Sequence, residues 1–266
     1  MNCQHVLLLL VGLLFGCASS KLPTTLGDVK KSPTYGYTPI DPLPVEVLSP
    51  QAVTTVNSSK ILDALPDETV RLAIGQFDSE GGLTFGPAKI GVKGGSYVVV
   101  LDYIKFDTKS FGVEVKTTPN ETNPYQRSAS VTYKPNPDLL VPVYIGVGLR
   151  LTANITVNEG SVDLGNLLAL GVSAQAKQIS GTLVIQTLGI SGEGISGSIP
   201  LPSEINQTSV QNAIQSLGAI RAVLYAEKTR IRPRVVGVYN NLGGGQQTVN
   251  SFITSLLENP IPLKIE

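Results

Sequence analysis

Beyond its first five residues this chain has no imidazole. The single histidine is His5, the single methionine is Met1, and tryptophan is absent from all 266 residues. Ser-His-Asp and Cys-His catalysis need an imidazole to move a proton, so neither is available downstream of the extreme N-terminus. The two cysteines, Cys3 and Cys17, also lie at the N-terminus. An exported domain without further cysteine has no disulfide framework, and zinc sites built from Cys and His are excluded with it. Charge is sparse as well, at 15% of residues, and balanced at 20 Lys plus Arg against 20 Asp plus Glu. No global field therefore draws the chain to nucleic acid or to an anionic surface. A carboxylate pair, a Ser-Lys pair or an oxygen-ligated metal are the enzyme designs that composition leaves open. No cofactor is expected.

What the chain does have begins with an uncharged apolar run from Val6 to Phe15. That run is too short to cross ~30 Å of hydrocarbon and has the length of a signal-peptide core. It ends in Leu14-Phe15-Gly16-Cys17, which resembles the lipobox of bacterial lipoproteins. The resemblance implies a leader over residues 1–16 that is removed, and an acylated Cys17 at the mature terminus. Lipoproteins of this kind carry three acyl chains, and two chains already anchor a protein stably. Ala18 rather than Asp follows the cysteine, which by the same resemblance favours the outer over the inner membrane. The alternative is ordinary cleavage after Ala18 or Ser20, giving a periplasmic or secreted protein. With no other thiol in the mature chain, lipidation is the economical reason for Cys17. Asn57, Asn120, Asn154 and Asn206 each open an Asn-x-Ser/Thr triplet, but a bacterial lipobox argues that these arise by chance.

Residues 17–50 hold six prolines between Pro23 and Pro50 and no sustained period, as expected of a tether between lipid and domain. The remainder, 51–266, reads as α+β with a largely antiparallel sheet, divided at most into subdomains at 66–160 and 161–266. A helix is expected from Ser49-Pro50 to Leu65. A meander follows through Val70–Phe77, Gly82–Val92, Tyr97–Asp107, Phe111–Thr117 and Ser128–Lys134, broken by Gly81-Gly82 and Gly94-Gly95. The strongest periodic signal is Val143 to Asn158. Val143, Ile145, Val147, Leu149 and Leu151 share one face with Ala153, Ile155 and Val157, while Tyr144, Gly146, Gly148, Arg150 and Thr152 share the other. Such alternation predicts a strand with one dry and one wet face. Further helices are expected from Asp163 through Gly171, after Asn206 to Leu224, and from Val249 to Leu257, the last being the clearest. Strands at Ile179–Ile190 and Arg230–Tyr239 lie between them.

Four features are candidates for function. Arg230, Arg232 and Arg234 alternate with Ile231, Pro233 and Val235; they could grip phosphate or carboxylate groups, or simply shield an edge strand, as Pro233 suggests. Gly243-Gly244-Gly245 precedes the last helix but lacks the Lys-Ser/Thr of a phosphate loop. Gly189–Pro200 repeats Gly-Ile-Ser-Gly, which reads as a twisted or bulged strand pair. Asp78 and Glu80 form a carboxylate pair beside Gly81-Gly82, open to a cation or to acid–base work. Val70–Gly82 also resembles the opening strand of curli-secretion channel lipoproteins over about a dozen residues, without the helices that follow there.

The leading expectation is a non-enzymatic, lipid-anchored binding or assembly component of the cell envelope, with a protein or glycan partner and no nucleic acid. One alternative is an oligomeric pore or secretion component that uses the Val143–Asn158 strand in a membrane. The other is a carboxylate-dependent enzyme acting on envelope glycans.

Overall fold

A computed structural model describes residues 36–49, 58–79, 82–86, 90–119, 127–137, 139–168, 177–192, 195, 197, 199–226, 228–239, 242 and 245–265. In chain order the elements are β1 (Tyr37–Pro44), β2 (Glu46–Leu48), α1 (Ser58–Asp63), β3 (Asp67–Phe77), β4 (Leu83–Gly86), β5 (Ile90–Val92), β6 (Ser96–Pro119), β7 (Arg127–Tyr133), β8 (Leu139–Val157), β9 (Ser161–Asp163), β10 (Ile179–Leu188), β11 (Ile190–Ser191), β12 (Ser203–Glu204), α2 (Gln207–Val223), β13 (Arg230–Ile231), β14 (Arg234–Tyr239), α3 (Gly245–Glu258) and β15 (Pro262–Lys264). The fold is α+β, mostly antiparallel sheet, with three helices among the described residues, the last near the C-terminus.

Two long strands form its spine. β6 and β8 pair antiparallel from Ser96↔Thr156 to Val113↔Leu139. On the far side of β8, β14 pairs with the segment around Val143–Gly146 and β10 with Gly148–Val157. On the far side of β6, β3 pairs with Tyr97–Phe106 and β7 with Val113–Pro119. With β1, β4 and β12 at the margins this makes one nine-stranded sheet. The segments 66–160 and 161–266 thus both contribute strands to a single sheet.

Several expectations change. The strands expected at Tyr97–Asp107 and Phe111–Thr117 are one 24-residue strand, β6. It stays extended through Thr108–Ser110 because β8 pairs with it there without interruption. The expected Gly82–Val92 strand is divided between β4, which pairs with β3, and β5, which pairs with β9. The first helix is confined, among described residues, to Ser58–Asp63. From Leu164 to Leu168 the chain is in turns, opened by Asp163 Oδ1 accepting from the Asn166 amide at 3.2 Å; the rest of that expected helix lies outside the described residues. The α2 expectation is met, with Asn206 as its cap. Asn206 Oδ1 accepts from the Ser209 amide and Ser209 Oγ accepts from the Asn206 amide, both at 2.9 Å, a reciprocal capping box.

The largest correction concerns β8. Val143, Ile145, Val147, Leu149 and Leu151 are fully buried, as the alternation requires. They meet Phe252 and Leu256 of α3, Ile220 of α2, and Ile61 and Leu62 of α1 in one apolar core, which Leu151 continues toward Val210 and Ala213. The opposite face is not wet. Tyr144, Gly146, Gly148 and Arg150 are buried too, and only beyond Thr152 does that side reach solvent, at Asn154 and Thr156. The cause is curvature. β1 and β3 stand four strands apart in the sheet order, yet they touch. Flat strands ~4.8 Å apart could not do so, so the sheet curls toward closure and covers its own inner face. There Tyr37, Val98, Val100, Ile104, Phe106, Tyr144 and Val236 form a second core. Gly148 belongs to this tight region: a Cβ there would collide with the Tyr103 carbonyl oxygen and lie 3.0 Å from Ile104 Cα.

β7 is a sheet margin covered by a helix. Ser251 Oγ of α3 accepts from the Val131 amide at 2.7 Å and donates to its carbonyl at 3.2 Å. The Phe252 ring meets Phe111 edge-on at 5.6 Å between centroids. Closing backbone groups in this way protects an edge from pairing with another chain.

Candidate functional site

Two groups of polar side chains stand out, one sealed and one open. The sealed group follows from strand register. Arg71 of β3 lies opposite Asp102 of β6, and Asp102 lies opposite Arg150 of β8. Period 2 sends all three to the inner face of the curl. Arg150 donates from Nε to Asp102 Oδ1 and from Nη2 to Oδ2, both at 2.8 Å. It also donates at 2.6 Å to the carbonyls of Ile40 on β1 and Val236 on β14. The Tyr37 hydroxyl donates to Asp102 Oδ2 at 2.5 Å. Arg71 lies with its guanidinium carbon 5.1 Å from the Tyr144 ring centre and 5.7 Å from that of Phe106, a distance for cation–π attraction.

Burial and charge shift the titration of Arg150, Tyr37 and Tyr144 in this group. Burial pulls Arg150 down, but the hydrogen bonds and charge of Asp102 outweigh it and leave the guanidinium held above its ordinary value. Burial, then the Asp102 charge, pushes the Tyr37 phenol well above its usual value. Tyr144 is pushed up to about 12, mainly by burial. Asp102 is fully buried and Arg150 only 5% exposed, so substrate has no access to them. The group ties β1, β14, β8, β6 and β3 together; it is a structural clasp.

The open group lies on the chain from Lys228 to Val235. Lys228, Arg230 and Arg232 are exposed and Arg234 is half-buried, while Thr229, Ile231, Pro233 and Val235 between them are buried. The strand expected over Arg230–Tyr239 is divided at Arg232-Pro233 into β13, which pairs with β11, and β14. Pro233, lacking an amide hydrogen, sits in the break. Against the edge-strand reading, β14 is an interior strand with β1 on one side and β8 on the other. The side chains of Arg232 and Arg234 line an open cleft of about 470 Å³ with Pro42, Gln186, Thr187 and Ser191. Its far wall turns at Gly189, whose φ of 64° only glycine adopts readily, and whose carbonyl accepts from the Arg232 amide at 2.7 Å. Among the described residues no acceptor lies within hydrogen-bonding or ion-pair distance of the side chains of Lys228, Arg230, Arg232 or Arg234. Unpaired guanidinium groups beside amide and hydroxyl side chains suit a phosphate or carboxylate.

The other candidates resolve differently. Cys17, Glu80, Gly243, Gly244, Asn57 and Asn120 lie outside the described residues. Asp78 holds the β3–β4 turn: Oδ1 accepts from the Gly82 amide at 2.7 Å. Asn206 is the helix cap, and Asn154 is exposed on β8. The five apolar residues of β8 named for a membrane or oligomer strand meet protein on all sides. Among the described residues no group of His, Cys, Asp and Glu is placed to hold a metal, and no helix is long and apolar enough to cross a membrane. Sequence reasoning missed Lys228, although it continues the same alternation. It also missed the clasp, whose signal was two charges, Asp102 and Arg150, inside otherwise apolar strands. Gln186, Thr187 and Ser191 reach the cleft through tertiary structure alone.

Comparison with known proteins adds no kin: no family model matches the chain, and no curated protein and no solved structure matches it either.

Proposed function

We propose that this protein is a non-enzymatic component of a bacterial cell envelope, held to the membrane by acylated Cys17, that binds an anionic group on an envelope partner through Arg230, Arg232 and Arg234. The observation that carries the reading is the open cleft in which Arg232 and Arg234 stand without partners among the described residues. The sealing of Asp102 and Arg150 supports it too, because the most elaborate charged group in the described fold is occupied in holding strands. The anchor places the cleft at a surface rich in phosphate and carboxylate.

The test uses the full-length protein and isolated envelope material in a co-sedimentation assay at low salt. The wild type should pellet with the material, and the Arg232→Glu/Arg234→Glu variant should stay in the supernatant. Equal pelleting of both would remove the cleft from consideration. Intact mass of the mature protein tests the anchor separately: an unmodified terminus at Ser19 or Lys21 would refute acylation of Cys17.

A further inference from the structure

We infer that the cleft is one end of a longer strip, and that its ligand is a linear polyanion carrying repeated phosphate or carboxylate groups without aromatic bases. The inference rests on the anion-binding reading above and names its ligand class.

The strip has four cations, not three. Lys228, Arg230, Arg232 and Arg234 occupy every second position, and each residue between them is buried. Lys228 lies in the turn before β13, Arg230 on β13, Arg232 in the break and Arg234 on β14, so the extended spacing of about 6.6 Å between alternate residues sets an upper bound of roughly 20 Å on the row. A single phosphate is matched by two guanidinium groups and leaves the other two cations idle. Like charges held in a row by the backbone repel one another, and a ligand with several anions along its length removes that repulsion along the whole row. The backbone under the row is secured at several points. Ser191 pairs with Arg230 and Ile190 with Ile231, the Arg232 amide bonds to Gly189, and Arg234 pairs with Pro44 and Gly146. The spacing is therefore built in and does not depend on ligand. Asp41 lies on the same strand as Pro42 of the cleft wall but forms no ion pair with the row.

Nucleic acid is disfavoured by what lines the cleft at the Arg232 end of the row. Single-strand binders place aromatic rings for bases to stack on. The cleft offers Pro42, Gln186, Thr187, Ile190 and Ser191 beside its arginines, and no aromatic side chain. Gln186, Thr187 and Ser191 suit hydroxyl and phosphodiester oxygens, which bear no flat ring.

The experiment is calorimetric titration of the full-length protein with glycerol-phosphate oligomers of increasing length, with inorganic phosphate and single-stranded DNA as comparisons. Affinity should rise roughly fivefold for each added phosphate up to four and then level, as expected for one cation–anion contact apiece. The Lys228→Gln variant should lose roughly fivefold for the four-unit oligomer and keep its affinity for inorganic phosphate unchanged. Lys228 is exposed, so far-ultraviolet dichroism should confirm an unaltered fold. If inorganic phosphate binds as tightly as the four-unit oligomer, and Arg232→Gln/Arg234→Gln abolishes both, the polyanion inference fails while the anion-binding reading survives. If no phosphate probe binds, both fail. Tighter binding of DNA than of an oligomer of equal charge would overturn the ligand class.

Discussion

Replacing Asp102 with alanine should damage the fold more than any comparable surface change, and the size follows from the geometry of the clasp. The substitution removes both carboxylate oxygens that receive Arg150 and the acceptor of the Tyr37 hydroxyl. Arg150 keeps the Ile40 and Val236 carbonyls, which satisfy two of its donors but not its charge. Breaking a buried ion pair from one side costs about 3–5 kcal/mol, and the two surviving carbonyl contacts place this case near 3 kcal/mol. For a domain of this size that lowers Tm by roughly 6–12 °C. Arg150→Met should cost a similar amount, because it leaves the Asp102 carboxylate buried without the guanidinium that bonds both its oxygens. The double variant Asp102→Leu/Arg150→Met removes both charges and should cost no more than one single change, about 3 kcal/mol against a sum of about 6, since apolar replacement of a whole buried pair is often neutral. What remains is the unpaired Tyr37 hydroxyl and two carbonyls, about 1 kcal/mol each. Urea denaturation followed by circular dichroism gives all three values. If the double variant loses the sum of the singles, the two residues act independently and the clasp interpretation is wrong.

Other outcomes follow from particular contacts. The Tyr144 hydroxyl is buried without a hydrogen-bond partner among the described residues, so Tyr144→Phe should be neutral or stabilising by up to ~1 kcal/mol at pH 7. Its folded pKa, raised to about 12 by burial, lies above the ordinary tyrosine value near 10, so its ionisation costs the fold nothing below pH 10 and takes away stability as pH climbs toward 12. Tyr37 acts with the same sign. Urea midpoints should therefore fall between pH 10 and 12, and less steeply in Tyr144→Phe; an unchanged slope would contradict its burial as the cause. Asn206→Ala removes the α2 cap and should cost about 1 kcal/mol in the same assay. Gly148→Ala forces a methyl group against the Tyr103 carbonyl and should cost roughly 1–3 kcal/mol; wild-type stability in that variant would show that β6 and β8 can part locally.

Much of this molecule was determined by local pattern. The alternation from Val143 to Asn158 specified a strand and the residues of its dry face, because pleat geometry sends every second side chain the same way. Asn206 and the Val249–Leu257 stripe marked helices α2 and α3, since caps and 3.6-residue periodicity act within a few residues. Alternation likewise marked the arginines at 230, 232 and 234 as a solvent-facing row. The second face of β8 was decided elsewhere. Tyr144, Gly146, Gly148 and Arg150 are as polar or small as a wet face would be, but the curl that brings β1 near β3 covers them. Curvature arises from pairings between segments far apart in sequence, such as Tyr37 with Tyr239 and Arg150 with Asp102, and no local period encodes those. The same holds for the cleft: its arginines could be read in order along the chain, while Gln186, Thr187 and Ser191 join them only because Gly189 turns β10 into β11 beside β13.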